Sequence, residues 1–401
     1  MKKKILFTIN TMGQAGAEKA MIELMKVLDP SLYEIDLYVM IPRGEMFTIL
    51  PNYVNILNPS YDTNRLLGKE GRRFLYKTTI KALWYHGNFL THAPFMIKNI
   101  CQQKARGKLQ LEKLFYPILS DGAKPLKQTY DLAIAFLEGA SAYYVADHVK
   151  AKKKVAFIHI DYQMAGYTPY MDRHCFDRFD RIYAVSNEVK EKFLQVYPQH
   201  KNKSFIFHNI INEKEIKRAA EKGSGFQDDF TGMRILTVGR LHPQKAYPIA
   251  IEAQALLKQR GLNVRWYVLG EGSQRVALEK LINDLHLQKD FILLGAVKNP
   301  YPYYKECDLY VHATAFEGKS IAIEEAQVLG KAILASDCTG NREQIQSGID
   351  GELVALDVEA IANAIQRLYR HPSLRVRYAK QALQKHFDYE KDVANLLHLM
   401  R

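Results

Sequence analysis

The stretch 311–336, VHATAFEGKSIAIEEAQVLGKAILAS, constrains this chain more than any other. An apolar strand ends at Leu309, Tyr310 and Val311, and a loop runs through Phe316, Glu317, Gly318, Lys319 and Ser320. Helical spacing then spans 321–329, and a second apolar run covers 332–335. The loop delivers backbone N–H groups to the open start of a helix, where unpaired donors and the positive dipole end favour an anion. Glu317 enters the loop and Glu325 stands eight residues later, about a turn inside the helix, so both can face a ligand seated there. Taken alone, two glutamates near a helix start are equally well explained as helix stabilisation.

The same pattern recurs along the chain. An apolar run at 4–8 leads into Asn10, Gly13, Ala15, Gly16, Ala17 and Glu18, and then into helical spacing over 18–28. Further strand patterns lie at 33–41, 132–136, 155–158, 181–185 and 204–207, and in the second half at 234–238, 264–269, 292–294, 309–311 and 332–335. Polar residues (Glu138, His159, Ser186, His208) repeatedly sit just past a strand's carboxyl end, where ligands of open parallel sheets bind. Singly, each reads as a turn or cap residue. Residues 213–233 are rich in Lys, Gly and Asp and read as a linker.

A chain of 401 residues accommodates two domains, and 47% hydrophobic with 25% charged residues is a globular balance. The apolar run 5–9 is too short for a secretory leader, and the stretch 82–97 is broken by His86, Asn88, His92 and Pro94. The expectation is a cytoplasmic protein without a membrane span. Cys101, Cys175, Cys307 and Cys338 are scattered with no C-x-x-C pair, which fits reduced thiols and no zinc site. The net charge of +13 is concentrated: between Arg65 and Lys127, thirteen Lys or Arg face three acids, Glu70, Glu112 and Asp121. Arg73, Lys77 and Lys81 recur four apart, with Arg72 and Trp84 alongside, and this basic, aromatic stretch suits an anionic membrane surface. No zinc-finger spacing or RNA-binding aromatic signature is present, so nucleic acid is not the expected partner. A merely solvated basic face explains the composition too.

After the first strand of the second half comes Gly239-Arg240, with Lys245 five residues on; Arg forks two oxygens and Lys supplies a compact charge, a pair suited to a diphosphate. Gly270, in Leu269-Gly270-Glu271-Gly272, marks another strand end ahead of a helix. Together these residues resemble the retaining glycosyltransferases of family 4. Their G-R-x-x-x-x-K loop corresponds to Gly239-Arg240…Lys245, and their E-G-x-x-x-x-x-x-E segment to Glu317-Gly318…Glu325. Their N-terminal glycine loop corresponds to Ala15-Gly16-Ala17-Glu18. The likeness runs over nearly the whole chain and is weakest in an insert at about 62–128.

The resemblance implies an α/β GT-B architecture: two doubly wound Rossmann-like domains facing a central cleft. An acceptor domain would span 1–208, a nucleotide-sugar domain 209–375, and a helix at 376–401 would return to the first domain. It implies that Arg240 and Lys245 neutralise the donor diphosphate, Glu325 binds ribose hydroxyls and Glu317 a hydroxyl of the donor sugar. Backbone N–H groups around Gly318, Lys319, Ser320 and Ile321 would cradle phosphate and sugar, with Gly16, Gly239 and Gly270 allowing close approach. His159 would stand beside the donor sugar and, with Glu138, on the acceptor side. Glu317, His159, Arg240 and Lys245 are thus the expected catalytic group. The expected reaction moves a hexose or N-acetylhexosamine, with retention, from a UDP-sugar to a lipid-linked or glycan acceptor in bacterial surface-glycan synthesis, on the inner face of the membrane. No metal cofactor is expected, since no Asp-x-Asp stands ready to hold one. Three departures are notable: Ala15 and Ala246 replace usual glycines, and Lys319-Ser320 replaces the commoner Phe-Gly. A non-catalytic membrane scaffold on this fold, or a two-domain sugar-nucleotide epimerase, remain the alternatives.

Overall fold

The computed structural model describes residues 2–13, 15–64, 69–85, 89–105, 111–162 and 165–400. The chain divides into two compact units, Met1–Ile210 with Asp388–Arg401, and Ile211–Phe387. In the first unit the described strands are β1 (Lys3–Ile9), β2 (Tyr33–Val39), β3 (Val54–Ile56), β4 (Thr129–Ala135), β5 (Lys150–Ile158), β6 (Arg181–Ala184) and β7 (Ser204–Ile206). They form one parallel sheet in the order β3-β2-β1-β4-β5-β6-β7. In the second unit β8 (Met233–Val238), β9 (Val264–Leu269), β10 (Phe291–Gly295), β11 (Leu309–His312), β12 (Ile333–Ser336) and β13 (Glu352–Val354) form a parallel sheet in the order β10-β9-β8-β11-β12-β13.

Central strands of a parallel sheet are covered on both faces, so they read as unbroken apolar runs. β11 and β12 are fully buried, and Trp266 on β9 is 0% exposed with its indole N–H donating to Thr237 Oγ1 at 3.0 Å. Two of the edge strands lack that signal. β3 and β13, three residues each, escape a reading by apolar runs. In both sheets the strand order reverses beside the first strand, between β1 and β4 and between β8 and β11. Loops at the carboxyl ends splay apart at such a switch point and leave room for a ligand.

Two expectations change, and the basic insert gains its outline. Part of the linker at 213–233 is helix Glu213–Ala220, capped by Asn212 and burying only Ile216 and Ala220, too few residues to show a period. The helix expected over 376–401 is two: Pro372–Ala382, which belongs to the second unit, and Glu390–His398, which belongs to the first. The basic insert is organised as helices Lys69–Tyr85, Phe89–Ala105 and Leu111–Asp121. Its Ala82, Leu114, Ile118 and Leu119 join the first unit's core. No helix among the described residues is long and apolar enough to cross a membrane.

Candidate active site

In the second unit the loops after β8 and β11 meet at the switch point. Gly239 continues β8, its N–H donating to the Leu269 carbonyl at 3.0 Å. Gly270 faces it so closely that a Cβ there would lie 1.9 Å from the Gly239 carbonyl oxygen, which only glycine permits. The Arg240 residue is exposed and its guanidinium makes no hydrogen bond or ion pair among the described residues, so it is open to an anion. The loop then folds into a short turn, Pro243–Lys245. Gln244 joins the two loops: its carbonyl accepts from the Ala315 N–H at 2.8 Å, and its side chain donates to the Phe316 carbonyl at 2.8 Å. Nothing in the sequence marks Gln244 for this task.

That junction brings Lys245 against Glu317. The ammonium is ion-paired with the Glu317 carboxylate and lies 3.2 Å from Nε2 of His312, the last residue of β11. Burial would raise the Glu317 carboxyl, but Lys245 and His312 outweigh it and hold it well below the usual carboxylate range. His312 is 1% exposed, and burial together with the Lys245 charge lowers its pKa to about 4.

Ala246 completes the turn at φ 44° and ψ 34°, the left-handed conformation that costs a residue with a Cβ about 1 kcal/mol. Glycine is usual here in the family that this chain resembles, and the backbone shows why. Ala246→Gly is expected to stabilise the protein by about 0.5–1 kcal/mol, read as a higher melting temperature. An unchanged or lower melting point would mean that the turn relaxes to accommodate alanine.

The loop 313–320 is held from below by helix Thr339–Gln344. The Gln344 side chain accepts the Ser320 N–H at 2.7 Å and donates to the Ser320 carbonyl at 2.9 Å. Ser320 was expected to offer its N–H to phosphate. Gln344 occupies that N–H. The Lys319 side chain folds back onto Glu324, which is 1% exposed, at 2.8 Å; its charge compensates a buried carboxylate. Glu325, in helix Ile321–Val328, is 4% exposed and accepts hydrogen bonds from the Tyr301 hydroxyl at 3.2 Å and the Tyr304 hydroxyl at 3.3 Å.

In the first unit, Gly16 opens helix Gly16–Val27 just past β1, with Thr11 Oγ1 donating to Glu18 at 2.9 Å. Asn10 ties this loop to the next strand end, donating to the Glu138 carbonyl at 2.9 Å and accepting the Ser141 N–H at 2.9 Å. Glu138 was expected to face an acceptor, but it is 3% exposed and its carboxylate accepts the His159 N–H at 3.0 Å. Its pKa is raised by burial, against the pull of that N–H. Glu138 therefore anchors the His159 backbone. The His159 ring lies 5.2 Å from that of Phe136 and hydrogen-bonds the Phe136 backbone, and burial lowers its pKa to about 4. Its Nε2 is buried and has no partner among the described residues, an open acceptor.

Helix Lys69–Tyr85 turns two parallel stripes to solvent. Arg73, Lys77 and Lys81 form one, all exposed; Tyr76, Ile80 and Trp84 form the other at 52%, 53% and 82% exposure. Arg72 lies in this helix, but its side chain is outside the described residues. Among the described residues Asp121, Asp147 and His148 converge closely enough for a cation. Arg173 already pairs with Asp121 at 2.8 Å and Arg178 with Asp147.

Residues 228–385 match the family of glycosyl transferases group 1. The matched segment contains Gly239, Arg240, Lys245, Gly270, Glu317 and Glu325. One relative is the Campylobacter jejuni N-acetylgalactosamine-N,N'-diacetylbacillosaminyl-diphospho-undecaprenol 4-alpha-N-acetylgalactosaminyltransferase, 29% identical over 218 residues, 54% of this chain and 58% of that protein. Another is the Escherichia coli UDP-Gal:alpha-D-GlcNAc-diphosphoundecaprenol alpha-1,3-galactosyltransferase, 28% identical over 200 residues, 47% of this chain and 51% of that one. The matched region thus spans little more than half the length of these relatives. The fold matches throughout. Anabaena HepE, solved with UDP and glucose, aligns over 99% of both chains at 17% identity with a TM-score of 0.69. Staphylococcus aureus TarM, solved with UDP among its ligands, aligns over the full length of both at 13% identity with a TM-score of 0.68. The architecture is GT-B, with two Rossmann-like α/β domains.

Proposed function

We propose that this protein is a retaining glycosyltransferase that moves a hexose or N-acetylhexosamine from a UDP-sugar to a lipid-linked or glycan acceptor in bacterial surface-glycan synthesis. The observation that carries this reading is the meeting of Lys245 and Glu317 at the β8/β11 switch point, with Arg240 exposed at the start of the same loop. Cleaving the sugar–phosphate bond develops negative charge on the diphosphate and positive charge on the anomeric carbon. Fixed cations and a helix start stabilise the first without reorganising. Arg240 and Lys245 would do this work in place of a divalent metal, and Glu317, held ionised, would accept a hydrogen bond from a sugar hydroxyl. With no covalent nucleophile assigned, retention would follow a front-face path in which the leaving phosphate takes the acceptor proton. The names of the Campylobacter and Escherichia relatives support a polyprenyl-diphosphate-linked acceptor.

A melting panel with UDP-, GDP-, ADP- and dTDP-sugars in EDTA tests the donor site, because a ligand that binds only the folded state raises its apparent stability. A rise confined to UDP-sugars is the expected result. No rise with any series would favour the scaffold alternative.

The exposed stripes of helix Lys69–Tyr85 support docking on the cytoplasmic face of an anionic membrane, the apolar stripe entering the interface and the basic stripe meeting headgroups. Changing Arg73, Lys77 and Lys81 together to Glu should abolish co-sedimentation with phosphatidylglycerol vesicles, and salt should weaken wild-type binding. Salt-independent binding that survives the charge reversal would rule this face out.

A further inference from the structure

We propose that His312 is a positioning residue for this reaction: its Nε2 accepts one N–H of Lys245 while Glu317 takes a second, which aims the third at the diphosphate. The inference rests on the donor-site reading above and concerns a residue outside both sequence motifs.

An ammonium has three N–H donors and no acceptor. We assign Nε2 of His312, 3.2 Å from Lys245 Nζ, as the acceptor of one of these, which places the ring proton on Nδ1. The Tyr310 hydroxyl lies 3.0 Å from Nδ1 and accepts that proton. Tyr310 and His312 stand two apart on β11, so their side chains share one face, and their rings run within 30° of parallel. Nε2 also lies 3.3 Å from Glu317 Oε2. Two acceptors at that distance are held by the cation donating to both. The groups facing the ring are Lys245 from the turn, Glu317 from the loop and Tyr310 from its own strand. Burial and the Lys245 charge keep the imidazole neutral near pH 7, so Nε2 stays an acceptor.

With two of its three donors fixed on side chains from one strand end, the ammonium cannot swing about a single ion pair. The direction of the third donor follows from tetrahedral geometry. Without His312, Lys245 would keep its charge and its partner Glu317 but lose its orientation.

The test is UDP affinity by titration calorimetry, with UDP release from the nucleotide sugar as second readout, in His312→Leu, His312→Gln, Lys245→Ala and the double variant Lys245→Ala/His312→Leu. His312→Leu should weaken UDP binding about tenfold, the scale of one charge-assisted hydrogen bond. His312→Gln, whose amide oxygen reaches the Nε2 position, should stay within about threefold of wild type. The double variant should bind no worse than Lys245→Ala, because a residue acting only through Lys245 has nothing left to orient. An equal penalty for His312→Leu with and without Lys245 would overturn the proposal, as would an unchanged affinity in His312→Leu alongside a weakened Lys245→Ala. If Lys245→Ala binds UDP like wild type, or wild type does not bind it, the donor-site reading itself falls. Should His312→Leu fail to fold, His312→Asn makes the same test, since its amide reaches Tyr310 but not Lys245.

Discussion

Lys245→Ala is expected to slow UDP release from the nucleotide sugar by about 10²–10³-fold, the usual cost of removing one preorganised group that stabilises transition-state charge. The side chain is 15% exposed, on a turn bound to the neighbouring loop through Gln244, so its charge is delivered without reorganisation. Removing it also leaves Glu317 ionised beside a neutral imidazole. That costs about 1–3 kcal/mol of stability, less than for a fully buried pair because Glu317 keeps 16% of its side-chain surface. The variant should therefore melt lower and remain folded, and circular dichroism separates lost fold from lost chemistry. Lys245→Met keeps the stem and volume and should be as inactive as the alanine variant. Wild-type turnover in either would remove this turn from the diphosphate site.

Gly340→Ala should impair activity about 10²-fold while costing a modest 1–3 kcal/mol or so of stability. A Cβ at Gly340 would sit 2.3 Å from the Gly318 carbonyl oxygen and 2.5 Å from that of Glu317. Both atoms are backbone, so no flexible side chain can yield, and the loop carrying Glu317 must move. Gln344, which clamps Ser320 from the same short helix, would move with it. A displacement of about 1 Å at a reacting group costs far more in rate than the same strain costs in stability. Melting temperature and UDP release measured on one preparation decide the matter. A variant that melts lower yet turns over normally would show that the loop's position is not critical.

Much of this organisation is legible along the chain. Central parallel strands such as β11 and β12 must be apolar on both faces, so they appear as unbroken runs, and the glycine and polar residues that follow them mark the ligand-facing ends. Lys245, Arg240, Glu317 and Glu325 stand out because one loop and one loop–helix segment carry them at family spacing. The short edge strands β3 and β13 and helix Glu213–Ala220 carry too few buried residues to show a period.

Only the tertiary structure decides who meets whom. Lys245 touches His312 and Glu317 across 67 and 72 residues of chain, Gln344 closes on Ser320 from the following helix, and the Glu138 carboxylate accepts the His159 backbone N–H. Periodicity records which face of its own element a residue occupies. Contacts between loops depend on strand order, and strand order is set by how the crossovers pack. Thus the residue types and spacing determine a duplicated parallel α/β chain with cations and carboxylates at its strand ends. Strand order, by placing β8 beside β11, brings Lys245 against Glu317 and adds His312 to the pair.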